Sequence, residues 1–338
     1  MNLEQIVQRL CAAPGLSGRE DDARAAAMNI LEELELGNCS VTPLGSLICR
    51  SNMGGERPVM LEAHLDQVGM VVTRVEEGFL HVANCGGIDR RLLPAQRVTV
   101  HTASGPRACV VASTPPHLKG DDEGPAKWED ILIDTGYSAE EAGEIFAPGD
   151  TITPQAGFVN LQGSRISSPA LDDRAGCAAV LWAAKLLKEA GYNRPLVLAL
   201  CSFEELGGQG AATAAFAEAP RCCYAVDVSF AAASGIPEAK CGKLAQGPMV
   251  GVAPIMNREM TQVMLAIAKE NGILTQLEVM GGSTGTDADK IVSAVGGIPT
   301  ALLSIPQRNM HTPVEVVDLQ DIENTARLMA LAVMGGDR

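Results

Sequence analysis

Aromatic side chains are scarce in this chain: they make up 3% of 338 residues, with two tryptophans, three tyrosines and six phenylalanines. A groove built to stack sugar rings is therefore disfavoured. Basic residues are also short, 26 Lys and Arg against 41 Asp and Glu, and the formal net charge of −15 is spread along the sequence. Phosphate recognition needs Lys/Arg clusters, so nucleic acid is excluded as a partner. No run of eighteen apolar residues exists, so no transmembrane helix and no membrane association are expected. Met1-Asn2-Leu3-Glu4-Gln5 lacks the basic and apolar regions of a signal peptide, and the expected location is the cytoplasm. Ten cysteines are present, but none forms a C-x-x-C pair. In a reducing compartment they read as small buried hydrophobes rather than disulfides or structural zinc ligands.

Hydrophobic residues make up 46% and charged residues 20%, the balance of a globular enzyme. Residues 3–12 place Leu3, Ile6, Val7 and Leu10 on one helical face. A second helix is expected after Ser17, with Glu20 completing a capping box, running towards Leu36. Strands are expected at 40–50 and 57–63. From about 68 to 166, short alternating strands (Met70–Val75, Phe79–Ala83, Arg97–His101, Ala108–Ala112) are broken by Gly and Pro turns, with one short helix near Ala139–Ile145. From 168 onward helices (174–189, 208–218, 259–270, 287–295, 318–333) alternate with strands (195–203, 221–228, 274–279, 298–304). The reading is an α/β domain, discontinuous over 1–67 and 167–338, interrupted by a β-rich module at 68–166.

Four apolar strands lead to metal-competent residues. Val59–Ala63 runs into His64-Leu65-Asp66, Leu196–Phe203 into Glu204-Glu205, Cys222–Val226 into Asp227, and Ala301–Ile305 leads six residues on to His311. In open α/β sheets the carboxyl ends of strands surround the functional crevice. Only five histidines exist. His64 and His311 sit at these ends; His81 and His101 read as surface or satisfied core residues of the module, and His117 as a loop anchor. Asp66, Asp172, Glu204, Glu205 and Asp227 would repel one another in one pocket unless cations neutralise them. Oxygen and imidazole donors suit Zn²⁺, Mn²⁺ or Co²⁺, and Asp172 can offer one oxygen to each of two ions. If one of the adjacent Glu204 and Glu205 binds metal, its neighbour points elsewhere and is free to act as a general base.

Ala63-His64-Leu65-Asp66, Ala170-Leu171-Asp172-Asp173-Arg174, Glu204-Glu205-Leu206-Gly207, Ala225-Val226-Asp227-Val228, Gly285-Thr286-Asp287-Ala288 and Arg308-Asn309-Met310-His311-Thr312 occur in that order. Together with Cys85-Gly86-Gly87-Ile88-Asp89 and Leu93-Pro94-Ala95-Gln96-Arg97-Val98, they resemble the glutamyl/leucyl aminopeptidase family that builds tetrahedral (TET) dodecamers, some members of which are labelled endoglucanase. The resemblance spans nearly the whole chain. It implies a three-layer zinc-aminopeptidase-like α/β fold with an inserted PDZ-like β-barrel for dimerisation. It also implies two divalent ions, zinc before cobalt or manganese, one on His64, Asp172 and Asp227, the other on Asp172, Glu205 and His311. Glu204 would be the general base, Asp66 would orient His64, and Asp287 would help shape the site. A cis Asp172–Asp173 peptide is implied as well. The substrates would be peptides with a free N-terminus, and the assembly a dimer-based homo-oligomer. Three positions depart from the family pattern: Gln67 stands where Glu is usual, Asn309 where Tyr is usual, and Gly207-Gly208-Gln209-Gly210 lacks the commoner Arg. The alternatives are a metal-dependent deacylase of N-acyl amino acids and, more remotely, a glycosidase, which would need carboxyls set across a sugar.

Overall fold

A computed structural model describes residues 1–115, 117 and 124–335. Helices α1 (Leu3–Ala12) and α2 (Asp21–Glu33) precede strands β1 (Asn38–Val41), β2 (Leu47–Ser51) and β3 (Val59–His64). The apolar stripe of α1 is buried, and Asn2 with Gln5 makes its capping box. The capping box expected for the second helix does not form. The Ser17 hydroxyl instead donates to Asp66, and α2 begins after Glu20 without a side-chain cap. The strand expected over 40–50 is a hairpin, because Thr42–Ser46 turns the chain so that Val41 pairs with Leu47.

Strands β4 (Gly69–Glu76), β5 (Phe79–Cys85), β6 (Arg97–Thr102), β7 (Gly105–Val111), β8 (Leu132–Asp134) and β9 (Thr151–Pro154) close into a barrel in the order β4-β5-β8-β7-β6-β9. Met70, Val72, Leu80, Val98, Val100, Ile133 and Ile152 fill it, and helix α3 (Ala139–Ile145) packs beside β4. The strands β8 and β9 are too short to leave a periodic signal in the sequence. Closure pairs every barrel strand on both sides, so these strands offer no free edge to a second chain. His81 lies beside Arg74 and Glu76, and the His101 ring meets the Thr153 hydroxyl at 2.8 Å. His117 is exposed; Pro116 and Leu118, its neighbours in the expected loop anchor, lie outside the described residues.

Strands β10 (Val159–Asn160) and β11 (Arg165–Ser168) lead into helix α4 (Leu171–Glu189). Then come β12 (Leu196–Cys201), α5 (Gln209–Glu218), β13 (Cys222–Phe230), β14 (Met249–Val252), α6 (Arg258–Glu270), β15 (Gln276–Val279), α7 (Ala288–Ile291), β16 (Thr300–Gln307), β17 (Glu315–Asp318) and α8 (Leu319–Gly335). The helix expected over 287–295 is shorter: α7 ends at Ile291, and a separate 3₁₀ turn with a left-handed Val295 covers Ala294–Gly296. The eight-stranded sheet runs β1-β2-β12-β3-β13-β16-β14-β15, with β12, β3, β13 and β16 parallel. Such central strands are buried on both faces, and β3, β12 and β16 are buried throughout. One face carries α1, α2, α4, α6 and α8; the other carries α5 and α7. The result is a three-layer α/β fold beside a small closed barrel. Among the described residues no helix is long and apolar enough to cross a membrane. Seven of the ten cysteines are buried.

Candidate metal centre

The parallel register brings the strand ends together. Cys201 pairs with His64, so the chain leaving β12 passes beside the end of β3. Asp227 lies on β13 opposite Ser304 of β16. Asp172 and Asp173 open α4 in non-helical geometry, and the peptide between them is cis.

Asp172 occupies the centre. Its Oδ1 lies 3.0 Å from His64 Nε2, and its Oδ2 lies 3.2 Å from His311 Nε2. His311 Nε2 is also 3.3 Å from Glu205 Oε1, and His64 Nε2 is 3.8 Å from Asp227 Oδ1. A tetrahedral ion with bonds of about 2.0–2.1 Å holds its ligand atoms roughly 3.3 Å apart, so the donor spacing and donor chemistry fit two such ions. Three donor groups at this site are close enough to hold an ion: Asp172, Glu205 and His311; His64, Asp173 and Asp227; and His64, Glu204 and Glu205. All five residues expected as ligands converge here. Glu204 stands 4.0 Å from His64 Nε2.

Asp66 is fully buried and organises two parts of the site. It lies 3.5 Å from His64 Nδ1, and it accepts the backbone N–H groups of Glu204 at 3.0 Å and Glu205 at 3.2 Å. Ser17 donates to the same carboxylate. One residue on, Gln67 binds the N-terminal segment: its Oε1 accepts the Gly15 N–H at 3.1 Å. Asn309 takes a positive φ of 56° that suits asparagine, and its amide donates to Val314 O.

The electrostatics are those of crowded, dry carboxylates. Burial raises Asp227 and Glu205 above the usual range, and burial with Glu205 and Asp172 nearby brings Glu204 to about 7 despite His64. Burial opposes charge on His64, yet Asp172 and Asp66 lift it well above its ordinary value. His311 rises to about 11, because Asp172 and Glu205 outweigh its burial. Burial would also raise Asp172, but the two imidazoles hold it below the carboxylate range. Divalent ions held by these donors would offset the mutual repulsion of the carboxylates.

Three features of the site have no role assigned from the sequence. Glu315, on β17, is buried and accepts the backbone N–H groups of Asp172 at 3.1 Å and His311 at 2.8 Å. Its only signal was one charge within Val314-Glu315-Val316-Val317. Asp173 is fully buried beside His64 and Asp227, and its Oδ1 receives the Gly176 N–H at 2.9 Å. The barrel also reaches the site: the Gly87 carbonyl lies 3.1 Å from His311 Nδ1, and Asp89 N–H donates to His311 O at 3.0 Å. Asp287, expected to shape the site, instead forms a buried cluster with Glu62 and Cys201, where burial raises Asp287 and takes Glu62 to about 8.

A cavity of about 480 Å³ opens onto Asp172, Glu204, Glu205, Asp227 and His311. The chain is 34% identical to the lysyl aminopeptidase of Pyrococcus furiosus over 331 residues, covering 96% of this chain and 94% of that one. Among solved structures, the TET1 peptidase of Pyrococcus horikoshii superposes with a TM-score of 0.86 at 31% identity over 98% of both chains. An aminopeptidase from Desulfurococcus kamchatkensis gives 0.90 at 28% identity, over 97% of this chain and 93% of that one. The M42 glutamyl aminopeptidase family matches residues 45–328. With carboxylates and imidazoles gathered as a metal-dependent peptidase requires, this chain belongs to the M42 glutamyl aminopeptidase family and removes N-terminal residues from peptides.

Proposed function

We propose that the site would hold two divalent ions that serve the hydrolysis, one on His64, Asp172 and Asp227, the other on Asp172, Glu205 and His311. The observation carrying this is the Asp172 carboxylate, each oxygen of which faces a different imidazole at ion-pair distance. Zinc suits the donor set first, with cobalt and manganese close behind. When bound, the ions supply Lewis-acid polarisation of the scissile carbonyl and activation of water. Glu204 takes the proton of the attacking water and delivers it to the leaving amine. Asp66 holds the His64 ring and the Glu204–Glu205 turn in register. The substrate's free α-amine lies against the acidic wall, which restricts attack to the first peptide bond.

The catalytic unit in this reading is 1–67 with 167–338, and residues 68–166 serve contact between subunits. Exposed Leu92 and Val110 on the module support such contact. So does the solved TET1 peptidase, which can assemble into a tetrahedron or a large octahedral shell. The test combines metal analysis of purified protein with turnover of aminoacyl p-nitroanilides beside an N-acetyl amino acid. Two ions per chain and turnover of the anilides alone are expected. Preferred cleavage of the N-acetyl compound would favour a deacylase.

A further inference from the structure

Beyond the donor residues, the active-site cavity is lined by Ser229, Ser304 and Glu278, and also by Asp289 and Lys290. Glu278 comes from edge strand β15. Its neighbours Leu277 and Val279 point outward, 59% and 75% exposed, so alternation turns Glu278 inward. It reaches the cavity across β14, where its register partner is Gly251, which carries no side chain to block the path. One Glu278 oxygen accepts the Ser304 hydroxyl at 2.6 Å; the other accepts the Ser229 hydroxyl. Among the described residues no Lys, Arg or His forms an ion pair with it.

The other two charges in this part of the cavity are differently placed. The Asp289 carboxylate is taken up by its own loop, receiving the N–H groups of Thr284 and Gly285 and the Thr284 hydroxyl. Lys290 is exposed, and its stem lies over Gly208, where an added Cβ would come within 2.6 Å of Lys290 Cγ. Its ammonium therefore belongs to the rim, and Glu278 to the floor.

Position relative to the ligands completes the argument. Ser229 follows Asp227 by two residues on the same face of β13, and Ser304 is the register partner of Asp227. Two strand residues span about 7 Å, so a carboxylate held by these serines lies one pleat from a metal ligand. A side chain with a four-carbon stem covers such a distance. We infer that Glu278, held by Ser229 and Ser304, is the specificity-determining residue of this cavity and selects substrates whose first residue is basic, lysine or arginine. An acidic first residue would meet a like charge there, and an aliphatic one would cover the carboxylate without pairing it. The inference rests on the metal-centre reading above, which fixes where the α-amine and the scissile bond lie.

The experiment is a panel of lysyl, arginyl, leucyl, alanyl and glutamyl p-nitroanilides with the metal-loaded enzyme and its Glu278→Gln and Glu278→Lys variants. Lysyl and arginyl substrates should lead the others by at least about tenfold in kcat/KM, the scale of a pairing charge in a partly dry site. Glu278→Gln should collapse the lysyl-to-alanyl ratio by a similar factor. Glu278→Lys should reverse the order of lysyl and glutamyl substrates, an inversion that a merely structural role would not produce. A flat, aliphatic or acidic preference of the unaltered enzyme overturns the inference alone, as does a basic preference that survives Glu278→Gln. Failure to turn over any of the anilides would count against the metal-centre reading, and this inference would fall with it.

Discussion

Glu315 joins Asp172 to His311: its two oxygens accept the backbone N–H of one at 3.1 Å and of the other at 2.8 Å. Asp172 and His311 are thus both held through their backbones by a single buried side chain. Glu315→Ala should weaken metal binding by about ten- to hundredfold, the usual effect of losing a group that supports a ligand. Calorimetric metal titration checks this. Unchanged affinity in a folded variant would show that the two backbone segments hold themselves.

Glu204→Gln should retain both ions and lose at least about a hundredfold in kcat, the scale of general-base removal. Metal content and steady-state kinetics on the same sample are the measurement. Loss of an ion would make Glu204 a ligand.

Gly87→Ala addresses the barrel's hold on the centre. A Cβ there would stand 2.7 Å from His311 Nδ1, so the imidazole must shift away from the Gly87 carbonyl. One of the two ions should bind more weakly while the other is retained, with far-UV circular dichroism unchanged. Equal weakening of both ions would point to a wider disturbance.

Metal uptake should be coupled to proton release. In the metal-free protein Asp172 and Glu205, outweighing burial, lift His311 to about 11; Asp172 and Asp66 likewise raise His64 above its ordinary value, while burial raises Glu205 and Asp227. The imidazolium–carboxylate pairs stabilise the metal-free fold fully below the ordinary histidine value, and His311's share is lost as pH rises through about 11. Ions must displace these protons, so affinity should increase between about pH 6 and pH 8. Titrations in buffers of different ionisation enthalpy would count the protons; affinity independent of pH would contradict the scheme.

Assembly is checked by light scattering of the native protein. A homo-oligomer is expected, with a dodecamer ahead of an isolated dimer. A 35.3 kDa particle at every concentration tested would rule out subunit contact through residues 68–166.

The sequence revealed the ends of buried strands more clearly than anything else. Val59–Ala63 and Leu196–Phe203 are apolar enough to announce central strands, and a histidine or paired glutamates after such a run is conspicuous. Parallel pairing then brought His64, Glu204, Glu205 and Asp227 to one edge, as the pattern implied. Glu315 and Glu278 escaped because each sits on a four-residue strand, too short for alternation to declare which face is inward. The role of Ser17 was hidden differently. A serine three residues before a glutamate reads locally as a helix cap, but its hydroxyl serves Asp66, 49 residues away. Such a contact is set by tertiary packing, which no local pattern encodes.

The contact of Gly87 and Asp89 with His311 bears on how this molecule can change. A segment whose carbonyl faces a metal-competent imidazole, and whose next amide but one binds the same residue's carbonyl, is not a detachable ornament on an α/β frame. Grafting a barrel from a relative would have to transplant Cys85–Asp89 together with the loop around His311, or leave that imidazole without its brace. These two stretches, more than 200 positions apart in sequence, form one structural unit.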